Sequence, residues 1–332
     1  MKKNFLKLLT IVLICSLFFS VGCSTKKDAT TPEASKENKS TYPERPITLI
    51  IPFDPGGASD IVARKLSSIA EKHLPQGITI VNKPGGASAV GIAELHETKP
   101  DGYTILAALS TIVTHKILGN LPYNHEDFDV VCAYNFDPGA LAVNKDRPWQ
   151  TIEEFIEYGK KNPGELKVGT SAPGGLWNVG TLAIENATGV KFNIIASGGG
   201  VAEPAKQAAG GHIDAVVGSP NELLAHVEGG NLRLLAVTSP ERIEAFPDVP
   251  TFKELGYDAE VSGTRAIIAP KGTPKEVLDV LQTAFAAAAN DSEYKDFLKS
   301  MGSGSLYLNS EDASKHYSDQ VAIFEKILNA SK

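Results

Sequence analysis

Short apolar runs alternate along this chain with stretches whose apolar side chains recur at three- and four-residue spacing. ITLIIPF (47–53) precedes the helical pattern 60–74, ITIVN (78–82) precedes 88–97, and GYTILAAL (102–109) precedes 110–118. Further on, LKVGTS (166–171) precedes 176–188, IDAVVGS (213–219) precedes 220–229, and LRLLAVTS (232–239) precedes 274–289. Runs of the first kind predict buried strands and those of the second predict helices with one apolar face. Their alternation predicts an α/β class, with parallel sheets covered by helices on both faces. Two apolar segments break the rhythm, ALAVNK (140–145) and RAIIAP (265–270), because no helix pattern follows either at once. Both are expected to cross between two domains. Residues 42–140 with 266–332 then form one lobe and 141–265 the other.

Glycine placement points to where a ligand would sit. DPGGASD (54–60), KPGGASA (83–89), SAPGGLWN (171–178) and ASGGGVAEP (196–204) each follow a predicted strand. Ligands of open α/β sheets collect at the carboxyl ends of strands. Glycine there either permits a tight turn or lets an anion approach main-chain N–H groups at a helix start. Four clusters together suggest one cleft lined by backbone amides. Asp60 stands four residues before Arg64, which an i,i+4 helix pair explains without a ligand; the alternative has it fixing a water or an amino group in the cleft. Trp177 directly follows Gly-Gly in a cleft loop, where it either contacts ligand or packs the loop, whereas Trp149 opens a helix and is expected to pack.

The amino terminus changes the picture of where the protein works. MKKNFLKLLTIVLICSLFFSVGC has a lysine-rich start and an apolar stretch too short to span a bilayer, which reads as an export signal over residues 1–22. SVGC resembles the lipobox of bacterial lipoproteins, in which the cysteine, here Cys23, is lipidated; Ser20 stands where that pattern usually has leucine. Residues 23–41 lack large apolar side chains beyond the leader and read as a flexible tether. Cys132 is then the only thiol of the mature globule, so no internal disulfide framework exists; its apolar surroundings, DFDVVCAYNF, predict a buried inert thiol. The formal charge is −7, and loss of Lys2, Lys3 and Lys7 with the leader takes it to −10. An acidic chain with no basic cluster is a poor fit for nucleic acid.

Several chemistries find no support. DPGGASD lacks the Gly-Lys-Ser/Thr ending of a phosphate loop, and no Gly-x-Gly-x-x-Gly turn opens a helix, so no nucleotide cofactor is expected. GTSAP (169–173) comes near the serine-hydrolase elbow, but proline replaces its second glycine, which favours Ser171 as a hydrogen-bonding group over a nucleophile. Seven histidines are scattered with no pair at metal-ligand spacing, so no metal site is expected. Arg265 beside an apolar run needs a carboxylate partner, from protein or ligand.

YPERPITLIIPFDPGGASDIVAR, VNKPGGASAVGIAEL, KPDGYTIL, LPYNHEDF, PDVPTFKELGY and IIAPKGTP, in that order from Tyr42 onward, together resemble the extracytoplasmic solute receptors of tripartite tricarboxylate transporters, the Bug receptors. The resemblance implies a type II periplasmic-binding-protein-like fold, two α/β lobes with a hinge, and a ligand carboxylate held between them by two pincer loops. Carried over, the first loop is Phe53, Gly56, Gly57, Ala58, Ser59 and Asp60, and the facing loop is Thr170, Ser171, Gly174, Trp177 and Asn178. Where many relatives have Pro-Tyr-Lys-Gly, this chain has Ser197 and Gly198 in place of the aromatic and the lysine, and Thr264 stands near a position often filled by tryptophan. Both departures touch the end of the pocket expected to choose the ligand, where Arg265 is a candidate for holding a second carboxylate.

The expected function is capture of a small organic carboxylate, tricarboxylate- or dicarboxylate-like, by a monomeric receptor held to the membrane by a lipid, with delivery to integral-membrane transporter subunits and no catalysis. Two alternatives stay open: an exported hydrolase using Ser171, and a receptor that docks on a signalling partner.

Overall fold

The computed structural model describes residues 41–198 and 200–331. The leader, Cys23 and the tether up to residue 40 lie outside the described residues.

The first lobe opens with β1 (Ile47–Ile51), α1 (Ala58–Ala70), β2 (Ile78–Asn82), α2 (Ala89–His96), β3 (Thr104–Leu109) and α3 (Thr111–Ile117). Each strand run and helix pattern read from the sequence here falls on the matching element. Next come a long strand β4 (Phe128–Pro138) and, after the single residue Gly139, β5 (Ala140–Asn144). The second lobe continues with α4 (Ile152–Lys161), β6 (Lys167–Thr170), α5 (Leu176–Thr188), β7 (Asn193–Ala196), α6 (Ala202–Ala209), β8 (Ala215–Gly218), α7 (Pro220–Glu228) and β9 (Leu232–Val237). The chain returns through β10 (Ser262–Pro270) and closes with α8 (Lys275–Asn290), α9 (Ser292–Ser300), β11 (Gly304–Leu308) and α10 (Ser310–Ala330).

Two sheets result, ordered β11-β4-β10-β3-β1-β2 and β7-β6-β8-β5-β9. The parallel reading of the sequence holds for β1, β2 and β3 and for β6, β7 and β8, but both sheets are mixed. β10 runs antiparallel to β3 and β4, and β5 antiparallel to β8 and β9. The cause is the crossing itself: a strand that arrives from the other lobe enters its sheet from the opposite end. The expected second boundary at 265/266 falls inside β10, so Ser262–Arg265 belong to the first sheet. Gly139 and Thr238 bind each other at the crossing, with Thr238 N donating to Gly139 O at 2.8 Å and Gly139 N donating to Thr238 Oγ1 at 2.9 Å.

One face of the first sheet buries Ile47, Leu49 and Ile51 with Val62, Leu66 and Ile69 of α1 and Leu281 and Phe285 of α8. The other face is continuous with the core of the second lobe. Local capping sets where helices start: Thr151 and Glu154 form a reciprocal box on α4, and Ser219 and Glu222 do the same on α7, where Pro220 occupies the first turn. α10 packs on β4, α3 and α5, and so touches both lobes.

Candidate functional site

A cavity of about 150 Å³ lies between the lobes, walled by the segments that follow β1, β2, β6, β7 and β8. All four glycine clusters reach it, through Gly57, Gly85, Gly175 and the pair Gly198 and Gly200.

The first wall is the start of α1. Gly56 sits at φ +78°, a left-handed conformation that side chains resist, and this turns its N–H back onto Asp60 Oδ2 at 2.9 Å. Asp60 also accepts from Arg64 Nε at 2.9 Å and Asn82 Nδ2 at 2.8 Å. Burial works against ionising Asp60, but the donors from Arg64, Gly56 and Asn82 outweigh it and hold its carboxyl below the usual range. Gly57 caps the helix without a side chain, so the amides of Ala58 and Ser59 have no acceptor among the described residues.

The facing wall is the start of α5. Gly175 caps it, again without a side-chain bond, and a Cβ there would lie 2.7 Å from Ser171 Oγ and 2.9 Å from Ala172 O. Ser171 Oγ accepts from Asn178 N at 3.1 Å, and Asn178 Oδ1 accepts from Gly174 N at 3.1 Å. The amides of Leu176 and Trp177 are left without an acceptor among the described residues. Thr114 Oγ1, from the first lobe, donates to Gly174 O at 2.9 Å and ties this loop across the cleft. Two helix amino termini, one from each lobe, therefore meet at one cavity with their partial positive charge directed into it.

The third wall, after β2, holds Ala87 and Ser88 at positive φ, 53° and 89°. His115 Nε2 donates to Ala87 O at 3.0 Å, and Ser88 Oγ bonds Thr111 Oγ1 at 2.8 Å. Burial pushes the His115 imidazole below its usual range, against the opposing pull of the Ala87 carbonyl.

Three ionisable side chains line the cavity: Asp54, exposed in the loop after β1, Arg265 and Glu222. Arg265 finds its carboxylate partner within the protein: it pairs with buried Asp137 and also donates to Asn135 Oδ1 at 3.3 Å and Ser59 Oγ at 3.2 Å. Glu222, on the first turn of α7, receives Trp177 Nε1 at 2.7 Å, Ser219 Oγ at 2.7 Å and Ser219 N at 3.1 Å, all on Oε2. Burial pushes the Glu222 carboxyl up, opposed by the Ser219 donors and reinforced by Asp137.

Of the residues expected in the site, the structure places Phe53, Gly57, Ala58, Ser59, Ser171, Trp177, Gly198 and Arg265 on the cavity wall. Gly56, Asp60, Gly174 and Asn178 are set back from it and shape the loops through the bonds just described. Thr170 is fully buried, bonded to Thr181 Oγ1 at 3.1 Å, and Ser197 uses its amide to continue the β6–β7 pairing. Thr264 faces α10 instead of the cavity, bonding His316 Nε2 at 2.7 Å. Sequence reasoning missed Glu222, Ala87, Ser88 and Thr111. The KPGGASA cluster pointed to the region of Ala87 and Ser88, whereas nothing in the local pattern distinguishes Glu222 from a helix-capping residue. Cys132 is buried, its thiol pushed up to about 12 by burial. Among the described residues no group of His, Cys, Asp and Glu could hold a metal, and no helix is long and apolar enough to cross a membrane.

Two α/β lobes enclosing a cavity fringed by helix amino termini define a periplasmic-binding-protein-like molecule. The chain belongs to the tripartite tricarboxylate transporter family receptors, whose family model matches residues 62–332. It is 32% identical over 315 residues to the "UPF0065 protein in gbd 5'region" of Cupriavidus necator, covering 90% of this chain and 92% of that one. The crystal structure of a TctC solute binding protein from Polaromonas superposes with a TM-score of 0.72 at 36% identity, covering 87% of this chain and 99% of the other. The structure of R. palustris Rpa4515 with adipate gives a TM-score of 0.78 at 27% identity, covering 87% of this chain and 98% of the other.

Proposed function

We propose that this chain is an extracytoplasmic receptor, lipid-anchored through Cys23, that captures a small organic carboxylate between its lobes and delivers it to the integral-membrane subunits of a tripartite transporter. The observation that carries the reading is the meeting of the uncapped starts of α1 and α5, from opposite lobes, at one cavity. A carboxylate there would accept from the amides of Ala58, Ser59, Leu176 and Trp177. Hydrogen bonds to a charged group contribute about 1.5–3 kcal/mol each, so a few of them account for much of the roughly 8 kcal/mol of micromolar binding, before ordering costs. Those donors are main-chain groups, so the acidic net charge of the chain does not forbid an anion. The adipate held by the R. palustris relative supports a carboxylate as the class of ligand.

Ser171 supports binding over ester hydrolysis. Its Oγ accepts the Asn178 amide, and no histidine is among its hydrogen-bond partners. Thermal melting of the purified chain against a panel of small organic acids tests the reading. A true ligand at about 100 times its Kd adds roughly 2.7 kcal/mol of folding stability. A panel of mono-, di- and tricarboxylates, hydroxy acids and amino acids that leaves the melting temperature unmoved would remove the proposal.

A further inference from the structure

The charge of the cavity wall decides what the rest of the ligand can be. Arg265 is the basic side chain that reaches the cavity, and its charge is balanced by the buried Asp137. Glu222 and the exposed Asp54 also line the cavity, and no basic residue is paired with either among the described residues. A second carboxylate on the ligand would therefore approach an acidic side chain without a free cation to receive it.

Glu222 has a structural role that explains only half of its carboxyl. As the third residue of α7 it caps Ser219 N and Ser219 Oγ, and it holds the Trp177 indole, whose backbone amide is one of those open to the cavity. All of these donors use Oε2. Oε1 has no hydrogen-bond partner among the described residues, and it is not sealed in the core. A glutamine would serve the cap equally well. What the negative charge adds is an acceptor at the cavity wall for a cationic donor.

We propose that Glu222 is a specificity-determining residue that accepts an ammonium group of the ligand through Oε1, so that the receptor takes amino acids in preference to dicarboxylates of similar size. This rests on the receptor reading above and narrows it: helix amino termini hold the carboxylate, and Glu222 reads the amino group. Ammonium binding requires the ionised form of Glu222, so uptake of an amino acid near neutral pH favours loss of any proton the apo carboxyl retains.

Isothermal titration of the purified full chain with matched triplets tests the inference: aspartate, malate and succinate, then glutamate, 2-hydroxyglutarate and glutarate, then alanine, lactate and propionate. In at least one triplet the amino acid is expected to bind about tenfold or more tighter than both analogues, as a charge-assisted hydrogen bond provides. Glu222→Gln, which keeps the cap, is expected to abolish that preference while leaving the analogue without the amino group as tightly bound as before or tighter. Its melting temperature without ligand checks that it folds. If acids bind but in no wild-type triplet is the amino acid tighter than both analogues, or if Glu222→Gln weakens all three equally, the assignment of Glu222 is overturned while the receptor reading stands. Absence of binding by every acid, together with an unmoved melting temperature across the wider panel, overturns both.

Discussion

At the scale of single residues, the site is organised by side chains that do not reach the cavity. Asp60 gathers donors from Gly56, Arg64 and Asn82 and so fixes the turn that presents the amides of α1. Asp60→Ala is expected to cost about 2 kcal/mol at pH 7, read by urea unfolding, because three donors lose a charged acceptor. The pH dependence has a definite sign. Asp60 has a folded-state pKa below its ordinary value of 3.8, so its contribution is present above that value and is lost as pH falls through the lower, folded one. Wild type and Asp60→Ala should therefore converge in stability only below pH 3.8, and a gap unchanged between neutral and strongly acid pH would remove the assignment. Arg265 shows a limit of reading residues singly. The sequence demanded a carboxylate for it, but Asp137 lies 128 residues away, and only folding shows that the partner is in the protein.

At the scale of elements, the two loops that face each other across the cavity leave their helices uncapped by side chains. α4 and α7 begin with Thr or Ser and a reciprocal glutamate, which satisfies their first amides internally. α1 and α5 begin with glycine and leave theirs open. Gly175→Ala puts a methyl group 2.7 Å from Ser171 Oγ, closer than real Cβ contacts come, so the loop before α5 must shift. The expected outcome is a loss of about tenfold or more in affinity for whichever acid binds, by calorimetry, with the circular dichroism spectrum unchanged. Unaltered affinity would show that the start of α5 takes no part in binding. The strand–helix alternation made α1, α5 and their preceding strands legible in advance, because a buried strand and a one-faced helix each leave a local period in the sequence. The direction of β5 and β10 was not legible. Antiparallel pairing depends on where a crossing segment enters its sheet, and no short window of sequence records that.

At the scale of the whole molecule, the lobes are joined where β4 meets β5 and where β9 returns towards β10. Thr238 Oγ1 sits at that junction, accepting from Gly139 N and donating to Val261 O. α10 reinforces it from outside: Tyr317 Oη donates to Thr264 O at 3.1 Å, and Gln320 Oε1 accepts from Ser110 Oγ at 2.7 Å. Thr238→Val keeps the shape and removes the hydroxyl, leaving the Gly139 amide and the Val261 carbonyl buried without it. It is expected to cost about 1–3 kcal/mol in equilibrium unfolding. A variant as stable as wild type would mean that the junction is held by the strands and α10 alone.

Local periodicity and glycine placement by themselves determined the α/β class, several of the strand–helix pairs, and the loops that line the cavity, since each of these follows from which side chains a short segment must bury and where its backbone must turn. Tertiary structure decided the rest. It balanced Arg265 with Asp137, withdrew Thr264 towards His316, and set Trp177 against Glu222, 45 residues further along. The physical reason is that charge pairing and the polarity of a cavity depend on distances between residues remote in sequence, and those distances exist only once the two lobes have packed.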